Sequence, residues 1–220
     1  MKQTTVSYDV CAALFVMTLI VSNIASVKLV SAGPAVFDAG TILFPLAYIL
    51  GDVITEVYGF HKMRRLLIIG IGMLILTSLT FWIVGMLPAA ADWTNQTAYD
   101  SILGVVWRII LASITAIFIG ELFNSYVLAK LKIKYAGRYL WGRLIGSSGI
   151  GSLLDTTIFS VIAFAGTVSG SVLVQLIATV FAIKMLVEIV VSPITIAVIK
   201  RLKKVDDQDS YEQPDLLRYK

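Results

Sequence analysis

The chain alternates long apolar blocks with short polar segments, and the length of the blocks is its dominant pattern. A helix needs about 20 predominantly apolar residues to cross a hydrocarbon core about 30 Å thick. Six blocks approach or exceed that length: 9–30, 41–58, 66–87, 102–129, 143–165 and 172–199. They run on where a barrel strand would alternate, so helices alone can satisfy their backbone groups in lipid. The segments between them, 31–40, 59–65, 88–101, 130–142 and 166–171, suit connections between antiparallel neighbours. The predicted fold is therefore an all-α membrane protein, a bundle of six transmembrane helices over residues 1–202. A polar tail over 203–220 is expected to be solvated and partly disordered. The first block is of full span length, carries Asn23 and Lys28 and lacks a small-residue cleavage pattern, so it reads as a span.

Composition agrees and charge adds direction. Hydrophobic residues make up 58% of the chain and charged residues 15%, against about half and a quarter in a soluble domain. Segment 59–65 carries Lys62, Arg64 and Arg65, and the next segment on that side carries Lys130, Lys132, Lys134 and Arg138, with Arg143 following. The tail opens with Lys200, Arg201, Lys203 and Lys204, whereas the opposite segments hold Asp38, Asp92 and Asp100 and no Lys or Arg. The positive-inside rule then places both termini in the cytoplasm. The net charge of +4 and the basic segments are explained by topology and contact with membrane lipid, so no nucleic-acid partner is predicted.

The chemistry lies in residues that hydrocarbon disfavours. A charge near the bilayer centre costs about 2.5–3.5 kcal/mol on insertion scales. Lys28, Asp52, Glu56, Arg108, Glu121, Asp155, Lys184 and Glu188 all fall in or near the spans. At 1.5 Å per residue, Asp155 lies about 18 Å and Glu121 about 12 Å from the cytoplasmic ends of their spans. Lys184 and Glu188 lie near the middle of the last span, and Asn23 reaches a similar depth in the first. Lys28 and Arg108 lie nearer the outer end, Asp52 and Glu56 nearer the inner one. A hydrated cavity with a cationic outer mouth and an acidic inner vestibule follows, which is the layout of a small-molecule transporter.

Each group also has a plainer explanation. Lys184 and Glu188, at i and i+4, can neutralise each other. Asp52 and Glu56 share a face and repel, and Arg64 and Arg65 nearby are the favoured neutralising partners, making a structural or gating latch. Lys28 and Arg108 can snorkel outward. Asp155 has no charged neighbour on its own helix face, so its partner must come from another helix or a substrate. Gly142, Gly146, Gly149 and Gly151 favour close helix packing, with a broken helix as the alternative, and Pro193 is a site for a kink.

Enzymatic readings are weak. The chain has no phosphate-binding Gly-x-x-x-x-Gly-Lys-Ser/Thr loop and no His-Glu-x-x-His pair; His61 is its single histidine and Cys11 its single cysteine. No catalytic residue, metal or cofactor is predicted. An intramembrane enzyme using Asp52 and Glu56 as acid and base ranks below a transporter.

The stretch Phe44-Pro45-Leu46-Ala47-Tyr48-Ile49-Leu50-Gly51-Asp52-Val53-Ile54-Thr55-Glu56-Val57-Tyr58-Gly59, followed by Arg64-Arg65, resembles the queuosine precursor transporters, also described as a vitamin uptake transporter family. Arg108 with Ser113, Glu121 with Asn124, Asp155-Thr156 and Lys184 match in the expected order, and the resemblance runs from Tyr8 to Lys200. Some members carry Gln at the position of Glu121. The resemblance implies a bundle similar to the substrate-binding subunits of energy-coupling-factor transporters. It also implies import of 7-cyano-7-deazaguanine or 7-aminomethyl-7-deazaguanine across the cell membrane (the inner one where there are two) for salvage into tRNA queuosine. The substrate-binding candidates are Asn23, Arg108, Glu121, Asn124, Asp155, Lys184 and Glu188. A subunit of an ATPase-coupled vitamin importer with another ligand is the alternative, and a homodimer is an open partner assignment.

Overall fold

A computed structural model describes residues 6–32, 35–104, 106–164 and 169–216. Its elements in chain order are α1 (Val6–Ala25), strands β1 (Leu29–Ala32) and β2 (Ala35–Asp38), a short 3-10 turn (Ala39–Ile42), α2 (Phe44–Tyr58), α3 (Phe60–Met86), α4 (Gln96–Leu103), α5 (Val106–Lys134), α6 (Leu140–Phe164) and α7 (Gly170–Val205). Five of these helices, α1, α3, α5, α6 and α7, are long and apolar enough to cross a membrane. Of the six predicted spans, α2 differs. It has 15 residues, about 22 Å at helical rise, and it is enclosed by its neighbours. Residues 51–60 are all buried, and α2 packs against α1, α3, α5 and α7. The acidic motif therefore lies on the innermost helix.

Outward faces carry the opposite chemistry. Ile69, Met73, Leu76 and Trp82 on α3 and Leu186, Val190 and Ile194 on α7 stand exposed. Bands of this kind on spanning-length helices are solvated by lipid tails, where large apolar side chains lose nothing by facing out. Close packing inside comes from small residues. A Cβ on Gly120 would lie 2.8 Å from the Gly151 carbonyl oxygen, and one on Gly151 would lie 2.7 Å from that of Gly120. Helices α5 and α6 thus cross backbone to backbone, and one turn further along each stand Asn124 and Asp155.

Several boundaries depart from expectation. The first span stops at Ala25: a turn follows over 26–28, and Val30 and Val36 then lie in an antiparallel strand pair that sets Leu29 opposite Asp38 and Ala32 opposite Ala35. Residues 60–65, expected in a loop, form the first turns of α3. Gly59 makes this possible: at φ +99° it ends α2, its N–H bonding the Ile54 and Thr55 carbonyls, and begins α3 at once. The turn from α5 to α6 is a Schellman motif, in which Gly137 N–H bonds Lys132 O and Ala136 N–H bonds Ile133 O. Helix α6 runs unbroken through its glycines and α7 runs through Pro193 as one helix.

The tail also differs from its expected disorder. Beyond α7 the segment 206–216 folds back over the end of the bundle where α1 begins, α2 meets α3 and α5 meets α6. Tyr58 Oη and Ser7 Oγ donate to Asp206 at 2.5 and 2.9 Å, and Ser210 N–H donates to Val57 O at 3.2 Å. His61 Nδ1 meets Glu212 at 2.9 Å, and Arg64 donates to the Asp215 and Leu216 carbonyls at 2.8 and 3.0 Å. The tail's polarity serves partners that it finds on the helix ends.

Candidate functional site

Two polar layers lie one helical turn apart on α2. The layer nearer the tail is centred on Glu56, whose side chain is fully buried. Arg143, from the first turn of α6, forks onto it at 2.7 and 3.1 Å, and Lys203 of α7 reaches it at 2.8 Å. Lys132 of α5 lies 3.6 Å from the carboxylate and donates to the Glu56 carbonyl at 2.6 Å. Asp209 of the tail completes the group, accepting from Lys132 at 2.5 Å and Lys203 at 2.9 Å. Burial alone would raise the Asp209 carboxyl, but the hydrogen bonds from Lys132 and Lys203 outweigh it and hold its pKa below the ordinary 3.8. The favoured partners of Glu56, Arg64 and Arg65, are displaced by this geometry. Gly59 turns α3 away from α2, and Arg64 bonds tail carbonyls instead.

The second layer is a cluster built by four helices. Helix α2 supplies Tyr48 and Asp52, α5 supplies Glu121, Asn124 and Ser125, α6 supplies Ser148 and Asp155, and α7 supplies Lys184 and Glu188. Asn124 Nδ2 donates to Asp52 at 3.0 Å and to Glu121 at 3.4 Å, and Ser125 donates to Glu121 at 3.2 Å. Ser148 Oγ lies 3.4 Å from both Asp52 and Glu188. Lys184 bonds Asp155 Oδ2 at 2.5 Å, so the ion pair drawn here joins α7 to α6 and replaces the expected neutralisation within α7. Asp52 and Glu56, expected to act as one inner pair, belong to different layers, because successive turns of α2 face different neighbours.

This cluster brings together Glu121, Asn124, Asp155, Lys184 and Glu188 of the predicted binding set, and it adds Asp52. Asn23 stands apart: it is buried in α1 and donates to Leu19 O at 2.8 Å, and no bond among the described residues joins it to the cluster. Arg108 lies near the start of α5, and its side chain is outside the described residues. Lys28 is exposed beside the hairpin. Sequence reasoning passed over Tyr48, Ser125 and Ser148, which carry no charge to draw attention. It also left Lys132 and Arg143 as topology signals, although their near-equal distances from the turn at 136–139 put them at one height.

Five ionisable groups meet in the cluster, four carboxyl groups against one amine. Asn124 Oδ1 is buried and has no partner among the described residues, which leaves one more acceptor to be satisfied. Two small cavities, each about 20 Å³, adjoin it. One is lined by Phe15, Leu19, Ala47, Tyr48, Ile117, Glu121 and Asp155; the other by Thr41, Pro45, Tyr48, Ile183, Lys184, Val187 and Glu188. Each has room for about one water-sized molecule. Such a site is rich in acceptors and poor in donors, and it suits a ligand with N–H groups or positive charge. Among the described residues no group of three or more His, Cys, Asp or Glu side chains is placed to hold a metal ion.

Comparison with known proteins bears on this arrangement. The sequence profile of a family described as "Putative vitamin uptake transporter" matches residues 38–198, which include every residue of the cluster. The chain is also similar to the "Probable queuosine precursor transporter" of Bacillus subtilis (strain 168), with 29% identity over 193 residues, covering 86% of this chain and 82% of that one. No solved structure matches. With five helices of spanning length, lipid-facing apolar bands and a profile match over most of its length, this multi-pass membrane protein belongs to the vitamin uptake transporter family.

Proposed function

We propose that the chain imports a 7-deazaguanine precursor of queuosine, 7-cyano-7-deazaguanine or its aminomethyl relative, across the cell membrane, with both termini in the cytoplasm. The observation that carries this reading is the acceptor excess around the Lys184–Asp155 pair. A guanine-like edge presents an N1–H and an exocyclic amine side by side, two parallel donors that one carboxylate accepts bidentately. Asp155 is the first candidate to read that edge. Lys184 then turns from Asp155 to the ring carbonyl, so neither charge is left buried and alone during the exchange. Glu121 lines the same cavity and, with Asn124 bonded to it, offers further acceptors, and the ammonium of the aminomethyl relative would find Glu188 or Asp52. Asp52 and Glu188 both lie 3.4 Å from the Ser148 hydroxyl. Two carboxyl groups gathered on one hydroxyl repel unless one of them holds a proton, which gives the site a means of coupling to proton movement.

The test is a strain that depends on salvage, supplied with either precursor and scored by the queuosine content of its tRNA. Asp155→Ala and Glu121→Ala are each expected to abolish restoration while the protein still inserts in the membrane. Normal restoration by both variants would overturn the assignment. A protonophore arm separates a proton-coupled importer, which loses uptake, from facilitated diffusion, which keeps it.

A further inference from the structure

The two cavities of the cluster have one wall in common. Tyr48 lines both, the single residue among those described to do so. It stands one turn before Asp52 on α2, inside the Phe44–Tyr58 helix that carries the most distinctive part of the sequence. Its hydroxyl lies 3.4 Å from Asp155 Oδ2, the same oxygen that accepts Lys184 at 2.5 Å. Its ring centroid is 5.9 Å from Lys184 Nζ. The Tyr48 ring and the Lys184–Asp155 bond together make the partition.

The polar groups are divided by that partition. Glu121 and Asp155 face one cavity, and Lys184 and Glu188 face the other. A bicyclic base is far larger than either space, and to touch both sets of groups it must lie across the wall. A substrate edge that takes Asp155 displaces both of its donors, Lys184 and the Tyr48 hydroxyl, and a swing of the freed ring joins the two spaces into one slot. The slot then has an aromatic face on Tyr48 with Phe15, Leu19 and Ile117 behind Glu121, which are the apolar surfaces that a flat heterocycle stacks upon.

We infer that Tyr48 is the movable partition of a single binding slot and the ring on which the planar substrate stacks. This rests on the reading of the ligand as a flat, purine-like base. It gives an uncharged member of the cluster a direct part in affinity, and a means of closing the slot when no base is in it.

Equilibrium binding of 7-cyano-7-deazaguanine and of guanine to the purified full-length protein in detergent tests the inference. Wild type is compared with Tyr48→Phe, Tyr48→Leu and Tyr48→Ala, each first shown to be monodisperse. Stacking on an aromatic side chain corresponds to about 5- to 150-fold in affinity per base. Tyr48→Phe keeps the ring and is expected to bind within about threefold of wild type, while Tyr48→Leu, similar in bulk but without a π face, weakens with Tyr48→Ala. Wild-type affinity in Tyr48→Leu and Tyr48→Ala overturns the stacking role and leaves the substrate reading intact. So does a loss in Tyr48→Phe as large as in Tyr48→Ala, which would assign the contact to the hydroxyl. Binding of neither base by the wild type overturns the substrate reading, and the partition with it.

Discussion

Replacing Glu56 by Gln should be among the most damaging single changes in the protein, although it removes only a charge. The side chains of Glu56, Arg143 and Lys132 are 0%, 1% and 2% exposed, so the carboxylate is the internal counter-ion of two buried cations and of Lys203. Gln keeps the shape but loses the charge and cannot accept the Arg143 fork with both atoms. Breaking a buried ion pair from one side costs about 3–5 kcal/mol, mostly as the penalty of the cation left behind. For a chain of this size that corresponds to about 6–20 °C in melting temperature. Asp209→Asn is the internal control: it touches the same lysines from a carboxylate 41% exposed, where such pairs contribute about 0–1 kcal/mol. The assay is thermal unfolding of the purified protein in detergent for wild type, both single variants and the double variant Glu56→Gln with Arg143→Gln. The double variant should recover part of the loss, because it removes the stranded guanidinium charge together with its counter-ion. A Glu56→Gln melting temperature within 2 °C of wild type, or an Asp209→Asn loss of equal size, would refute this account of the layer.

The other predictions concern packing and pH. Gly51→Ala would place a Cβ 2.4 Å from Glu121 Oε1, forcing that carboxylate off Asn124 and Ser125. It should cost about 1–3 kcal/mol in thermal stability and weaken precursor binding as well. Gly120→Ala and Gly151→Ala each push α5 from α6 at one shared crossing. Their effects on melting temperature should therefore fall short of additive when combined. Asp209 is depressed in the folded protein, so its contribution is present above its ordinary pKa of 3.8 and is lost as pH falls through the lower folded value. The melting-temperature difference between wild type and Asp209→Asn should thus hold from pH 8 to pH 5 and vanish on further acidification. A difference that persists below that range would mean that the contact acts through packing.

The long helices were legible because a continuous apolar block of span length has few other solutions. Helix α2 was legible as a helix but not as the one enclosed by the others, since a block of 15 residues and two acids looks the same at the lipid boundary as at the centre. The need of Asp155 for a partner from elsewhere could be read from its isolated charge, and that partner is Lys184 of α7. The partners of Glu56 could not be read from proximity in sequence. Arg64 and Arg65 are near in number, but one glycine turn sends them away, and the cations that arrive come from three other helices. The tail misled for a related reason. A polar, Pro-containing composition indicates disorder only where nothing complementary waits for it, and here the helix ends offer Tyr58, His61, Arg64, Lys132 and Lys203.

The Glu56 layer also sets a timetable. Glu56 leaves the ribosome 76 residues ahead of Lys132, 87 ahead of Arg143 and 147 ahead of Lys203. At about 5–20 residues per second the last of these follows about 7–30 s later. Until Lys132 is made α2 carries Glu56 with none of its final cations, and until Lys203 is made the set stays incomplete. The locking of α2 by its cations is therefore a late event, completed only when the final helix has been synthesised. A chain released early, before Lys203, would hold all of α2 and yet lack the last of the three cations that lock it.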